Sequence, residues 1–433
     1  MLVLALIPLR KMSSGPFTLF FSSGNSTEIG EFALFGTDNV AFDEPMTIDD
    51  STVAPSTATE LLKLDLVELS TLNHMVPNAN SNTMPLDKIA RALSGRSGSA
   101  KERLLARYGG TAATEDAVEL GLAWLAKQQK SDGSWSLKGP YSNGGTFENS
   151  TAATALALNA FLGAGHTHRG GKYADEVLMG LKYLLKQQDE DGFFANAAHS
   201  RQQMYAQAIA TITVIEAYAL TGDSEMRIAA DKAISFAQWS QSKLNGWRYE
   251  PREDADLSVT GWFLMALETG KMAGLGVDNQ KIEVVSKFLD SVSYEQDSRY
   301  AYNLFEEPSL SMTAEGLFCR IILGWPKTHP ALLRAIDDDL LRATPELGDE
   351  VYSVYFWYYA TQVLHHVGGP AWDEWNNAMR RVLPSMQTKE GDEIGSWDPS
   401  RDAHGTSGGR LYTTCFNIFC LEVYYRHLSI YDL

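Results

Sequence analysis

Past residue 101 the chain alternates long apolar runs with short polar, glycine-bearing turns. Six runs stand out, at 150–165, 205–222, 256–274, 309–324, 351–368 and 411–427. Each lacks proline and is long enough for three or more helical turns. Gly165, Gly222, Gly274, Gly324 and Gly368 close five of them, where a left-handed C-cap favours glycine. Between the runs lie partner segments that share a pattern. Gly121-x-x-Trp124-Leu125-x3-Gln129-x3-Gly133-x-Trp135 recurs as Gly180-x-x-Tyr183-Leu184-x3-Gln188-x3-Gly192-x-Phe194. Looser copies place Gln241 before Gly246-Trp247 and Gln387 before Gly395-x-Trp397, and degenerate ones sit at Phe288-Leu289 and Leu340-Leu341.

Helix pairs repeating every few tens of residues mean stacked or closed arrays. In each copy a glutamine at a helix end can bond neighbouring backbone, a glycine permits a tight bend, and a large aromatic fills the gap to the next unit. Gln129, Trp135, Gln188, Gln241, Trp247, Gln387 and Trp397 are therefore the structural repeat residues. Six pairs can close on themselves, which removes any exposed terminal repeat. The expected fold is all-α: an α/α toroid of six helical hairpins over 101–433, with an irregular N-terminal extension over 1–100.

The extension has a different character. It is rich in Ser, Thr, Asn and Asp, with apolar runs at 17–21 and 32–35 that could pair as a hairpin around Gly24-Asn25-Ser26. Residues 43–59 are acidic and read as poorly ordered, 59–72 as one amphipathic helix, and 94–99 (SGRSGS) as linker. Residues 1–9 (MLVLALIPL) are too short to span a bilayer and have no basic segment ahead of them. They read as a buried element, a membrane-surface contact, or the end of a truncated membrane anchor.

Composition narrows the chemistry. With 36 basic against 54 acidic residues the formal net charge is −18, which disfavours a nucleic-acid partner. Three cysteines, Cys319, Cys415 and Cys420, show no CxxC spacing, so neither a disulfide framework nor a cysteine zinc site is indicated. No nucleophile elbow, phosphate-binding glycine loop or HExxH motif is present. No cofactor is implied, and the oligomeric state is not legible.

The glutamine–tryptophan pattern resembles the QW motif of squalene-hopene and oxidosqualene cyclases. The ending, Gly395-Ser-Trp397-Asp-Pro through Tyr424-Tyr425-Arg426-His427-Leu, is similar to bacterial prenyltransferase and squalene oxidase repeat proteins. That resemblance implies a toroid that binds or cyclises an isoprenoid or other apolar ligand, often behind a membrane anchor. Related rings also serve as binding domains, so a scaffold that holds a protein or a glycan is the alternative.

The family's proton donor is the middle Asp of an Asp-x-Asp-Asp-Thr-Ala motif. Here the third repeat reads Glu253-Asp254-Ala255-Asp256-Leu257-Ser258-Val259, so Asp256 matches the acid, Asp254 its first partner, and Leu257 replaces the last Asp. The same acidic residues also suit the first turn of a helix, as caps. The zinc prenyltransferases offer a second template. Asp349-Glu350-Val351-Tyr352-Ser353 and Tyr412-Thr413-Thr414-Cys415 keep its context, but Val351 stands for the cysteine and Thr413 for the histidine, so no metal is expected. Glu253, Asp349, Glu350, Tyr352, Phe356 and Trp357 are the candidate cavity residues, the aromatic ones from the dense run 352–359. Aromatic walls stabilise carbocations, though such density is also what a packed core needs. Glu148, Glu307, Asp349 and Glu350 could ring one mouth of the barrel. His166 and His168 read as solvent loop, and His365 and His366 as favourable charges at a helix C-terminus.

Overall fold

A computed structural model describes residues 93–426. The readings made for 1–9, 17–35, 43–59 and 59–72 lie outside the described residues. Among those described, no helix is long and apolar enough to cross a membrane.

The chain enters through a single 3-10 turn, Ser94–Arg96, and helix α1, Gly98–Tyr108. Six hairpins then follow, each an outer helix and an inner one. The outer helices are α2 (Ala112–Lys127), α4 (Ala174–Gln187), α6 (Ser224–Ser240), the broken pair α8 (Asn279–Glu283) and α9 (Val285–Ser291), α11 (Pro330–Ala335) and α13 (Gly369–Met386). The inner ones are α3 (Ser150–Gly163), α5 (Ser200–Thr221), α7 (Leu257–Met272), α10 (Leu310–Ile322), α12 (Val354–Val367) and α14 (Gly405–Leu421), and a short α15 (Val423–Arg426) ends the described chain. Each inner helix packs on the next, and α14 packs back on α3, so the ring is closed. A two-residue ladder, β1 (Ser293–Tyr294) with β2 (Arg299–Tyr300), is the only sheet among the described residues.

The inner helices are buried at nearly every position, as expected for segments apolar all round. Four of their starts are capped: the Asn149, Asp256, Ser309 and Ser353 side chains each accept a hydrogen bond from an amide of the first turn. All five glycines expected to end these helices have positive φ. Helix α14 is broken near its start, and its regular part begins close to the expected 411. Gly409 sits at φ 70° inside it, against the backbone of Gly145, so the regular helix begins just beyond that break.

The repeat glutamines act between hairpins. Gln129 Nε2 donates to the carbonyl of Glu176 at 2.8 Å, Gln188 to Ala229 at 2.9 Å and Gln241 to Lys281 at 2.9 Å. Each acceptor lies on the outer helix of the following hairpin. Gln387 donates to Ala117 at 2.7 Å, which joins the sixth hairpin to the first. The aromatic two residues past each bend is tied to its own inner helix. The Trp135, Trp247 and Trp397 amides donate to the hydroxyls of Thr154, Thr260 and Thr414, and their indoles to carbonyls of the preceding outer helix. The fourth repeat has the same device in Tyr300, whose amide donates to Thr313.

The stretch read as linker is not loose. Arg96 is 2 % exposed, and its guanidinium donates to both carboxylate oxygens of Glu216 and to the carbonyls of Leu162 and Arg426. Glu216 also faces Arg426, which pairs with the fully buried Glu422 at 2.7 Å. This ionic cluster sits at the C-terminal ends of the inner helices. The expected boundary at residue 100 falls inside α1, which packs on α15.

Candidate functional site

Asp256 is the N-cap of α7, so its side chain is fixed by the fold before any chemistry is asked of it. Oδ1 accepts from the Val259 amide at 2.8 Å and Oδ2 from the Tyr302 hydroxyl at 2.8 Å. The Arg248 Nε stands 3.4 Å from Oδ2. Asp256 is completely buried, and burial pushes its pKa up to about 7; the Val259 amide, Tyr302 and Arg248 pull the other way. A carboxyl titrating there is divided between acid and anion at neutral pH, as a general acid or base must be.

Asp254 does not share a pocket with Asp256. Its side chain is 48 % exposed and bonds the Arg248 guanidinium at 2.6 Å, and its charge adds to the upward push on Asp256. Arg248 lies over the Tyr249 ring at 5.0 Å, and the Tyr249 and Tyr302 hydroxyls are 2.6 Å apart. Sequence reading missed Arg248, although it directly follows the repeat tryptophan Trp247.

Deeper in the ring, aromatic side chains from three inner helices meet across the axis. Trp262 of α7 stacks on Tyr358 of α12 at 6.1 Å and meets Phe416 of α14 edge-on at 6.2 Å. Tyr359 and Phe419 complete this floor. Above it, Ser258 Oγ and the Tyr355 hydroxyl are 2.7 Å apart, and Tyr355 donates to Glu315 at 3.0 Å. Glu315 is completely buried, its carboxyl is pushed well above the usual range by that burial, and its second oxygen has no partner. Nothing singled it out in the sequence beyond being the lone acid within the apolar run 310–322.

Several candidates lie elsewhere. Glu253, Glu307 and Glu350 are exposed, and Asp349 is half-buried, none of them bonded to the Asp256 cluster. Asp256 caps its helix, but Glu253 and Asp254 belong to the turn before it. Glu148 bonds its own loop through Ser136 and the Leu137 amide. In the aromatic run, Phe356 meets Trp375 of the outer helix α13, and Trp357 stacks on Tyr352 at 4.6 Å. Tyr352 in turn donates to the Asp398 carbonyl. Phe356 thus faces the outer layer, whereas Tyr355, Tyr358 and Tyr359 meet Trp262 and Phe416 of the other inner helices. Helical phase decides this: residues at i, i+3 and i+4 share a face. At the zinc-like segments Val351 is 63 % exposed and Thr413 donates to Asp402 at 2.9 Å. His168 is not in solvent, since its Nε2 lies 3.1 Å from Asp223, and His365 and His366 are buried against Tyr108, Trp372 and Phe318.

This architecture is an α/α toroid. No family profile matches the sequence, and no curated protein matches it. Solved structures do match. A cellobiose 2-epimerase from Bacillus thermoamylovorans aligns with TM-score 0.54 at 15% identity, over 72% of this chain and 98% of its own. An α-1,6-mannanase from Salegentibacter aligns with TM-score 0.51 at 12% identity, over 72% and 99%. A type II terpene cyclase from Scytonema aligns with TM-score 0.49 at 10% identity, over 73% and 98%. At such identities the likeness is one of fold.

Proposed function

We propose that the ring binds an isoprenoid-class ligand against its aromatic floor and that Asp256 is the proton donor to it. The observation that carries this reading is the placement on one inner helix of a buried carboxyl titrating near 7 and, less than two turns on, Trp262 stacked on Tyr358. On proton transfer the Asp256 O–H bond breaks, a bond forms from that proton to the ligand, and positive charge develops on a neighbouring carbon. Aromatic faces attract such a cation. The carboxylate left behind is held by the Val259 amide, Tyr302 and Arg248. An acid with a raised pKa is a weak donor, which favours a basic acceptor such as an epoxide oxygen over a bare alkene. The replacement of the family's last Asp by Leu257 agrees with that preference.

A second reading rests on the charged rim. Arg248 and Asp254 are 26 % and 48 % exposed above the Tyr249 ring, an arrangement suited to hydroxyl groups of a glycan or to a protein surface. Thermal-shift and native mass spectrometry with squalene, its epoxide and mannotriose separate the two. Stabilisation by the epoxide that Trp262→Ala abolishes supports the isoprenoid reading. Stabilisation by mannotriose alone, abolished by Arg248→Ala, supports the rim.

A further inference from the structure

The seam where the ring closes carries a charged cleft on its outer wall, apart from the inner helices that hold Asp256. It lies between the outer helices α2 and α13, has a volume of about 770 Å³, and is lined by Thr111, Ala113, Arg380, Arg381 and Lys389. Trp372, Asn376 and Arg380, one turn apart on α13, donate to the carbonyls of Tyr108 and Gly109 where α1 ends. That clamp fixes the start of α2, two residues on, with its first turn in the cleft. There each of Thr111 and Thr114 accepts the other's amide on its hydroxyl, at 3.2 and 2.9 Å. The cap leaves the Ala112 and Ala113 amides as donors without a helical acceptor.

Three cations meet in this cleft, and every acceptor that holds them is neutral. Arg380 bonds the Gly109 carbonyl at 3.1 Å and the Asn377 side chain at 2.5 Å. Arg381 Nε bonds the Asn377 carbonyl at 2.7 Å, and Lys389 the side-chain oxygen of Gln387 at 2.8 Å. Among the described residues none of the three pairs with a carboxylate. Asp116 is the one acid in the lining, so the cleft is net positive on a chain whose formal net charge is −18. Positive charge gathered this way, and left uncompensated, attracts an anion.

We propose that this cleft binds a phosphate group, free or carried on a small organic molecule. With Nε spent on Asn377, Arg381 keeps its two Nη groups for the ligand, and Lys389 keeps ammonium hydrogens beyond the one on Gln387. Arg380, already fixed by Gly109 and Asn377, adds a stationary charge, and the first turn of α2 adds amides and the positive end of its dipole. A phosphate has oxygens enough to meet an arginine fork, an ammonium and helix amides together, whereas a carboxylate has two. The cleft exceeds a bare phosphate several times over, so an organic body fits beside the charged group. Its ligand also touches the closure itself: Lys389 is bonded to Gln387, and Gln387 to Ala117 of α2. The site is independent of any ligand on the ring axis.

Isothermal titration calorimetry of the full chain with inorganic phosphate and with glycerol 3-phosphate, at fixed ionic strength in chloride, tests this. Wild type should bind at a single saturable site. The double variant Arg381→Gln/Lys389→Gln changes two exposed side chains, and circular dichroism checks that it is folded. It should bind more weakly by about tenfold or more. Asp116→Asn, which removes the opposing charge, should bind more tightly, and Arg248→Ala should match wild type. Tighter binding of the ester assigns an esterified phosphate to the cleft, and equal binding assigns phosphate itself. No saturable binding of either compound by wild type overturns the proposal. So does binding that the double variant retains in full, because the anion then lies elsewhere.

Discussion

Gln387 donates to the carbonyl of Ala117 at 2.7 Å, and this bond helps join the last hairpin of the ring to the first, beside those of Trp124 to Glu393 and Thr146 to the Thr406 carbonyl. It is the same contact that Gln129, Gln188 and Gln241 make between successive hairpins. Removing it leaves a carbonyl near the seam without its donor. Gln387→Ala should lower unfolding free energy by about 1–3 kcal/mol in urea titrations, with Gln129→Ala costing a similar amount.

Asp256 has two roles that different substitutions separate. Asparagine caps a helix nearly as well as aspartate, whereas alanine does not. Asp256→Ala should therefore be less stable than Asp256→Asn by about 1 kcal/mol in denaturant titrations at low pH. Equal stability of the two would mean the cap contributes nothing.

The pH dependence has a definite sign. The folded pKa of Asp256, about 7, lies above its ordinary 3.8, so the folded state holds the proton more tightly. Its stabilising contribution is complete below the ordinary value and is lost as pH rises through 7. Wild type should lose stability relative to Asp256→Asn across that interval, by about 4 kcal/mol at most. Glu422, pushed up to about 8 by burial, adds a second loss of the same sign at slightly higher pH.

Arg248 lowers the pKa of Asp256 and is itself held by Asp254. Arg248→Gln should move the Asp256 titration upward from about 7, read from carboxyl carbon shifts by NMR. A downward move would mean that the arginine does not act on Asp256 as a cation.

Arg96 pairs with Glu216 deep in the ring. Arg96→Ala should destabilise by roughly 3–5 kcal/mol, because it strips donors from a buried carboxylate, and Arg96→Met, which fills the space, by less. Calorimetric melting of both variants checks this.

The ring was legible because its repeat is a physical device written in few letters: a glutamine, a glycine and a tryptophan at fixed offsets. Where the letters change, the reading gave only degenerate copies, at Phe288-Leu289 and Leu340-Leu341. The fourth repeat uses Tyr300 without the glutamine, and its trace was a different period. Thr154, Gln207, Thr260 and Thr313, which accept the aromatic amides, follow at 53-residue intervals. Asp256 was legible as a helix cap, but its partners Arg248 and Tyr302 come from other segments and carry no motif. Arg96 in SGRSGS looks like linker because its partner Glu216 is 120 residues away. In the run 352–359 composition shows aromatic density and not its phase, so Phe356, which packs on the outer helix α13, was not told apart from Tyr355, Tyr358 and Tyr359.

Product analysis after incubating wild type and Asp256→Asn with squalene epoxide tests the proposed chemistry most directly. The expected result is a cyclised or rearranged product from wild type and none from Asp256→Asn, which keeps the cap and still binds the epoxide. Equal turnover by the two proteins, or no binding of the epoxide by wild type, would contradict Asp256 as the proton donor of an isoprenoid-binding ring.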